Sequence, residues 1–215
     1  MPKRKYRGKK TLKPKTQNQA SYIRAMIESD ITICDGPAGS GKTAVAVGLA
    51  CQYLEEQKVN KIVISRPIVE AGKGLGFLPG SFENKVHPYL IPIIEEMNLY
   101  LSSDKVETYK KNNIIEICPL EYMRGRNFHQ SFIILDEAQN ATREQMKMFA
   151  TRIGRQSKCV INGDVEQSDL PHNLRGALEH WLEVLDDIKG VSIVELDFND
   201  IIRNDIISKI LSALE

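Results

Sequence analysis

Apolar positions along this chain follow two alternating patterns: short, nearly continuous runs, and longer stretches in which apolar residues recur every three or four positions. The runs fall at residues 31–34, 61–65, 114–117, 132–135, 158–161 and 191–196. Short apolar runs rich in β-branched residues and bounded by turn residues predict strands covered on both faces, as in parallel sheets. The stripes predict helices. One carries Tyr22, Ile23, Ala25 and Met26, a second covers residues 44–54, a third spans 81–101 with interruptions at Pro88 and Pro92, and a fourth spans 103–111. Met146, Phe149, Ala150 and Ile153 form another stripe behind a capping box of Thr142 and Gln145. Leu174, Ala177, Leu178, Trp181, Leu182 and Leu185 trace the next. In a last helix Ile206, Ile207, Ile210, Leu211 and Leu214 form the buried face, with Arg203 at its end, where a charge needs a carboxylate or phosphate partner. Strands alternating with helices predict an α/β fold, a mostly parallel sheet with helices on both faces, and residues 81–112 read as a helical insertion.

Composition narrows this picture. The 215 residues suffice for one well-buried domain, and no apolar stretch approaches the roughly 20 residues needed to cross a bilayer. With a basic N-terminus that lacks an apolar segment, the expectation is a cytoplasmic protein with no membrane partner. Cys34, Cys51, Cys118 and Cys159 have no metal-like spacing and lie mostly in apolar runs, so buried reduced thiols are expected. The net charge of +1 hides an asymmetry. Of 29 Lys and Arg, eight fall in the first 15 residues, which hold no acid, so the remaining 21 face 28 acidic residues. Residues 1–13 therefore read as a basic, disordered arm that favours phosphate polyanions or simply aids solubility, and residues 14–215 as the folded domain.

The chemistry lies where strands end. The first run leads into GPAGSGKT, residues Gly36, Pro37, Ala38, Gly39, Ser40, Gly41, Lys42 and Thr43, and then into a helix. That context is a Walker A phosphate loop: backbone N–H groups and the helix N-terminus cradle phosphates, Lys42 reaches the β- and γ-phosphates, and Thr43 ligates Mg²⁺. The run at 132–135 leads into Asp136 and Glu137, a Walker B pair in which Asp136 holds Mg²⁺ through water and Glu137 activates the attacking water. Gln19, upstream of the loop, offers a donor and an acceptor for an adenine edge, and Gln167 an amide for sensing a γ-phosphate. Arg124 and Arg126 in YMRGR, beside Tyr122 and Phe128, combine charge with stacking surface; solvated turn arginines are the plainer reading.

Seven segments, PKTQNQASY, GPAGSGKT, RPIVEAGKGLGFLPG, YMRGR, FIILDEAQN, EQMKMFATRIG and NGDVEQSDLP, resemble the PhoH family of P-loop ATPases, whose core is similar to the first RecA-like domain of superfamily 1 helicases. The resemblance implies a single RecA-like P-loop NTPase domain that uses ATP and Mg²⁺. It matches Gln19 to an adenine reader, Lys42 and Thr43 to phosphate and magnesium contacts, Asp136 and Glu137 to Walker B, Gln167 to a γ-phosphate sensor and Arg203 to a C-terminal arginine motif. It also implies ATP hydrolysis coupled to binding, remodelling or unwinding of single-stranded RNA, with DNA as the alternative polymer, in a homo-oligomer whose favoured form is a hexameric ring. Arg203 in cis, or Arg124, Arg126 or Arg155 in trans, are the candidate arginine fingers. Lys73, Asn162 and Asn204-Asp205 depart from the family pattern. The alternative expectation is an ATP-gated RNA-binding or scaffold protein with negligible turnover.

Overall fold

The computed structural model describes residues 10–68 and 82–201. Arg203 and the last expected helix, Lys73 with most of the RPIVEAGKGLGFLPG segment, Asn204-Asp205 and residues 1–9 of the basic arm lie outside them.

Six strands form one sheet: β1 (Ile31–Asp35), β2 (Lys61–Arg66), β3 (Ile115–Pro119), β4 (Ser131–Leu135), β5 (Lys158–Gly163) and β6 (Val191–Glu195). They pair in the order β3-β2-β4-β5-β1-β6, every pair parallel. Side chains of successive strand residues leave opposite faces, and this alternation sorts the core. Ile62, Ile64, Phe132, Ile134 and Val160 face one layer, while Val63, Ile133, Leu135, Cys159 and Ile161 face the other. The first layer is built by α1 (Gln17–Glu28), α2 (Lys42–Glu55), α3 (Phe82–Tyr100) and α4 (Ser103–Lys111), the second by α5 (Arg143–Ala150) and α6 (Ala177–Leu185). The strands β4 and β5 are flanked on both sides and covered on both faces, which is why residues 132–135 and 159–161 are wholly apolar.

Several expectations change. The third helix is continuous through Pro88 and Pro92. An interior proline costs about 3 kcal/mol, whereas burying a large apolar side chain contributes about 1.5–3 kcal/mol; Ile93, Met97 and Tyr100 are all buried, which outweighs the lost backbone bonds. With α4 this helix forms the crossover between the parallel neighbours β2 and β3, so the segment expected as an insertion packs into the first helical layer. Leu174 falls outside α6: it sits in a 3₁₀ turn, 41% exposed, and Gly176 at φ 83° breaks the periodicity before Ala177. Ile153 leaves α5, which ends at Ala150, and bridges to Phe128. The capping box of Thr142 and Gln145 forms as expected. All four cysteines are buried and free, and burial pushes the Cys51 and Cys118 thiols up to about 12, so they remain protonated and unreactive at neutral pH.

Residues 10–13, placed in the arm by their charge, lie along the first layer. The Lys10 amide donates to Leu99 O, its amine sits over the Tyr100 ring, and Leu12 packs against the core. Among the described residues no helix is long and apolar enough to cross a membrane.

Candidate functional site

Every loop at the carboxyl end of a parallel sheet opens on the same side, and strand order here brings three of them together. β1 leads into the glycine loop, and its neighbour β5 leads into Asp164 and Gln167; β4, on the far side of β5, leads into Asp136 and Glu137. Among the residues lining a cleft of about 370 Å³ at this end are Gly39, Gly41, Lys42, Thr43, Asp136, Glu137, Gln139, Asp164 and Gln167. Pro92 and Glu96 of α3 and Arg66 at the tip of β2 complete the wall.

The glycines at two loop positions have steric causes. Gly36 (φ 154°) passes so close to β6 that an added Cβ would lie 2.5 Å from Leu196 O. Gly41 (φ 93°) caps α2, and a Cβ there would meet Gln19 Nε2 at 2.8 Å. The Lys42 amine folds onto the loop, donating to Gly36 O and, at 3.0 Å, to Pro37 O. A cation resting on carbonyls, beside the unpaired amides of the first turn of α2, forms a cradle suited to phosphate. Ser40 Oγ is buried inside it without a hydrogen-bond partner. Gln19 clasps the loop from α1: its Nε2 donates to Ser40 O at 2.9 Å and its Oε1 accepts from Lys15 N at 2.9 Å. One donor and one acceptor position of that amide are thus already used by the protein.

The acid pair is held tightly. Asp136 is buried, its Oδ1 accepts from Thr43 Oγ1 at 2.7 Å, and its Oδ2 accepts from Arg66 Nη2 at 2.6 Å. A hydroxyl and a carboxylate are the hard oxygen donors Mg²⁺ prefers, whether they bind it directly or through its retained waters. Thr43 and Asp136 therefore fit the ion the motif implies. Glu137 occupies the left-handed region (φ 58°, ψ 42°), uncommon for a residue with a side chain and a form of local strain that concentrates at functional sites. Its Oε2 accepts from Gln139 Nε2 at 2.7 Å, while Gln139 Oε1 accepts from Asp164 N at 3.1 Å. Gln139 thus ties the acid to the loop that carries Gln167.

Sequence reasoning assigned no role to Arg66 or Gln139. Arg66 had one legible signal, a cation at the tip of a buried strand; Gln139 had none beyond its place in DEAQ. Arg126 proves to be engaged: its guanidinium grips Glu116 with both terminal nitrogens and stacks over Phe128. Its guanidinium is thus already paired within this chain. Arg124 and Arg155 are exposed. Asn162 accepts from buried Tyr22 Oη at 2.5 Å, and burial raises the Tyr22 phenol well above its ordinary value.

A family model described as PhoH-like protein matches residues 11–215. A PhoH-like protein of Bacillus subtilis (strain 168) is 45% identical over 206 residues, covering 96% of this chain and 65% of the relative. The chain thus spans less than two thirds of the length of such curated relatives. Among solved structures, the large terminase of a thermophilic bacteriophage is similar with a TM-score of 0.58 at 11% identity, over 92% of this chain and 50% of that one. The UvsW helicase of bacteriophage T4 gives 0.53 at 15% identity, over 89% and 63%. These likenesses identify the fold as RecA-like.

Proposed function

The chain belongs to the PhoH-like protein family, and from that premise we propose that it is a Mg²⁺-dependent ATPase that couples hydrolysis to binding and remodelling single-stranded RNA. The observation that carries the proposal is the convergence of Lys42, Thr43, Asp136, Glu137 and Gln167 on one cleft. ATP lies with its phosphates in the cradle of residues 36–43. Lys42 leaves the loop carbonyls for the β- and γ-phosphates, exchanging neutral acceptors for charged ones. Thr43 and Asp136 would hold Mg²⁺, which would supply charge neutralisation for the phosphates. Glu137, oriented by Gln139, takes a proton from the water whose oxygen attacks the γ-phosphorus; the bond to the bridging oxygen breaks and ADP leaves. Gln167 donates to the γ-phosphate from the cleft wall, and Gln19 completes the adenine side with its remaining hydrogen-bonding positions.

A single RecA-like domain walls ATP on one side. Arg124 or Arg155 of another copy, or Arg203 of the same chain, would supply the positive charge that a phosphoryl-transfer site needs, in a homo-oligomer for which a hexameric ring is the favoured form. The basic arm and Arg124 supply charge for an RNA backbone. Phosphate release from ATP, measured with and without single-stranded RNA alongside the mass of the assembly, tests this reading. Turnover that rises with RNA in an oligomer is expected; full turnover by a monomer, indifferent to RNA, contradicts the coupled, multi-subunit form.

A further inference from the structure

Arg66 is the last residue of β2, and its side chain reaches across to β4, where Nη2 lies 2.6 Å from Asp136 Oδ2 and 3.4 Å from Glu137 Oε1. The Asp136 side chain is only 2% exposed. A carboxylate so far from water needs a counter-charge, and without nucleotide Arg66 provides it. Both oxygens of Asp136 are engaged, one by Thr43 and one by Arg66. Thr43 Oγ1 and Asp136 Oδ1 are the groups that fit a divalent cation, so a guanidinium on Oδ2 and an ion on the Thr43 side compete for the charge of one carboxylate. Their charges have the same sign and in a weakly screened cleft repel strongly at a separation of a few ångströms. The backbone beneath them is pinned, because Asp136 N donates to Ser65 O at 2.8 Å. The exchange is therefore a side-chain movement and not a shift of the strand. Glu137 is 44% exposed and lies nearer to solvent.

We propose that Arg66 is a built-in counter-ion that neutralises Asp136 through Oδ2, the oxygen turned away from Thr43, and releases it when metal enters with nucleotide on the Thr43 side. It is a positioning residue: it offsets the buried charge of Asp136, orders that side chain and sets how tightly metal binds. Removing its charge weakens the ligand-free fold and tightens metal binding, two opposite effects that a simple structural or phosphate-binding role does not produce together.

The inference rests on the nucleotide-binding reading above, and the test separates the two. The full chain and its Arg66→Met and Arg66→Gln variants are titrated with Mn²⁺ at saturating ADP, free Mn²⁺ being followed by its electron paramagnetic resonance signal. Thermal unfolding is recorded without ligand. Both variants should unfold at lower temperature and bind Mn²⁺ on the order of tenfold more tightly. Arg66→Gln keeps an N–H donor facing Asp136 and serves if Arg66→Met does not fold. Wild-type uptake of Mn²⁺ with ADP but unchanged or weaker metal binding in the variants overturns the counter-ion role and leaves nucleotide binding standing. Failure of the wild type to take up Mn²⁺ with ADP overturns both.

Discussion

Gln139 makes the most specific residue-level claim. Its amide holds Glu137 with one end and the backbone of Asp164 with the other. Gln139→Leu should lower kcat about 10- to 100-fold, the scale on which a misplaced catalytic base is felt, while the nucleotide KM stays within about twofold; a KM effect alone would assign Gln139 to binding. Tyr22 is the structural counterpart. Tyr22→Phe removes the donor to Asn162 Oδ1, whose Nδ2 is already buried without a partner, and should cost about 1–2 kcal/mol in urea unfolding; an unchanged midpoint would mean that water takes the donor's place. The Walker residues were legible because phosphate loops and strand-tip acids have fixed local spacings. Arg66 and Gln139 were not, because their roles depend on which strands become neighbours, and strand order is not local information.

Among the elements, the strands were legible as apolar runs because burial on both faces leaves little room for polar residues. Helix ends were less so. The α6 stripe reads smoothly back to Leu174 until the backbone at Gly176 turns left-handed, and α3 keeps its two prolines because its packing outweighs them. The start of edge strand β3 depends on charge. Glu116 is held by Arg126 and Lys61, and hydrogen bonding from Arg126 foremost lowers its carboxyl from 4.5 to about 2. A depressed folded value means that the stabilisation is complete above the unfolded value and is lost as pH falls through the folded one. Glu116→Gln should therefore be less stable than wild type at pH 7, with the gap closing between about pH 4.5 and about pH 2. Denaturation midpoints across that range would show it, and a gap constant with pH would assign the effect to packing.

At the scale of the whole molecule, one RecA-like domain presents its glycine loop, acid pair and the loop that carries Gln167 along the carboxyl edge of a six-stranded sheet. If another copy completes that edge, turnover per chain should rise with protein concentration across the range in which the mass changes from monomer to oligomer. Constant specific activity over that range would place the whole site within one chain. The central claim, that Glu137 activates water for attack on ATP bound at residues 36–43, is reached most directly by steady-state phosphate release from ATP and Mg²⁺, comparing wild type with Glu137→Gln at nucleotide concentrations shown to saturate each. The account predicts measurable release by the wild type and a fall of about 10²- to 10⁴-fold in the variant, with ATP binding retained. Negligible release by the saturated wild type, or equal release by the two proteins, would contradict it.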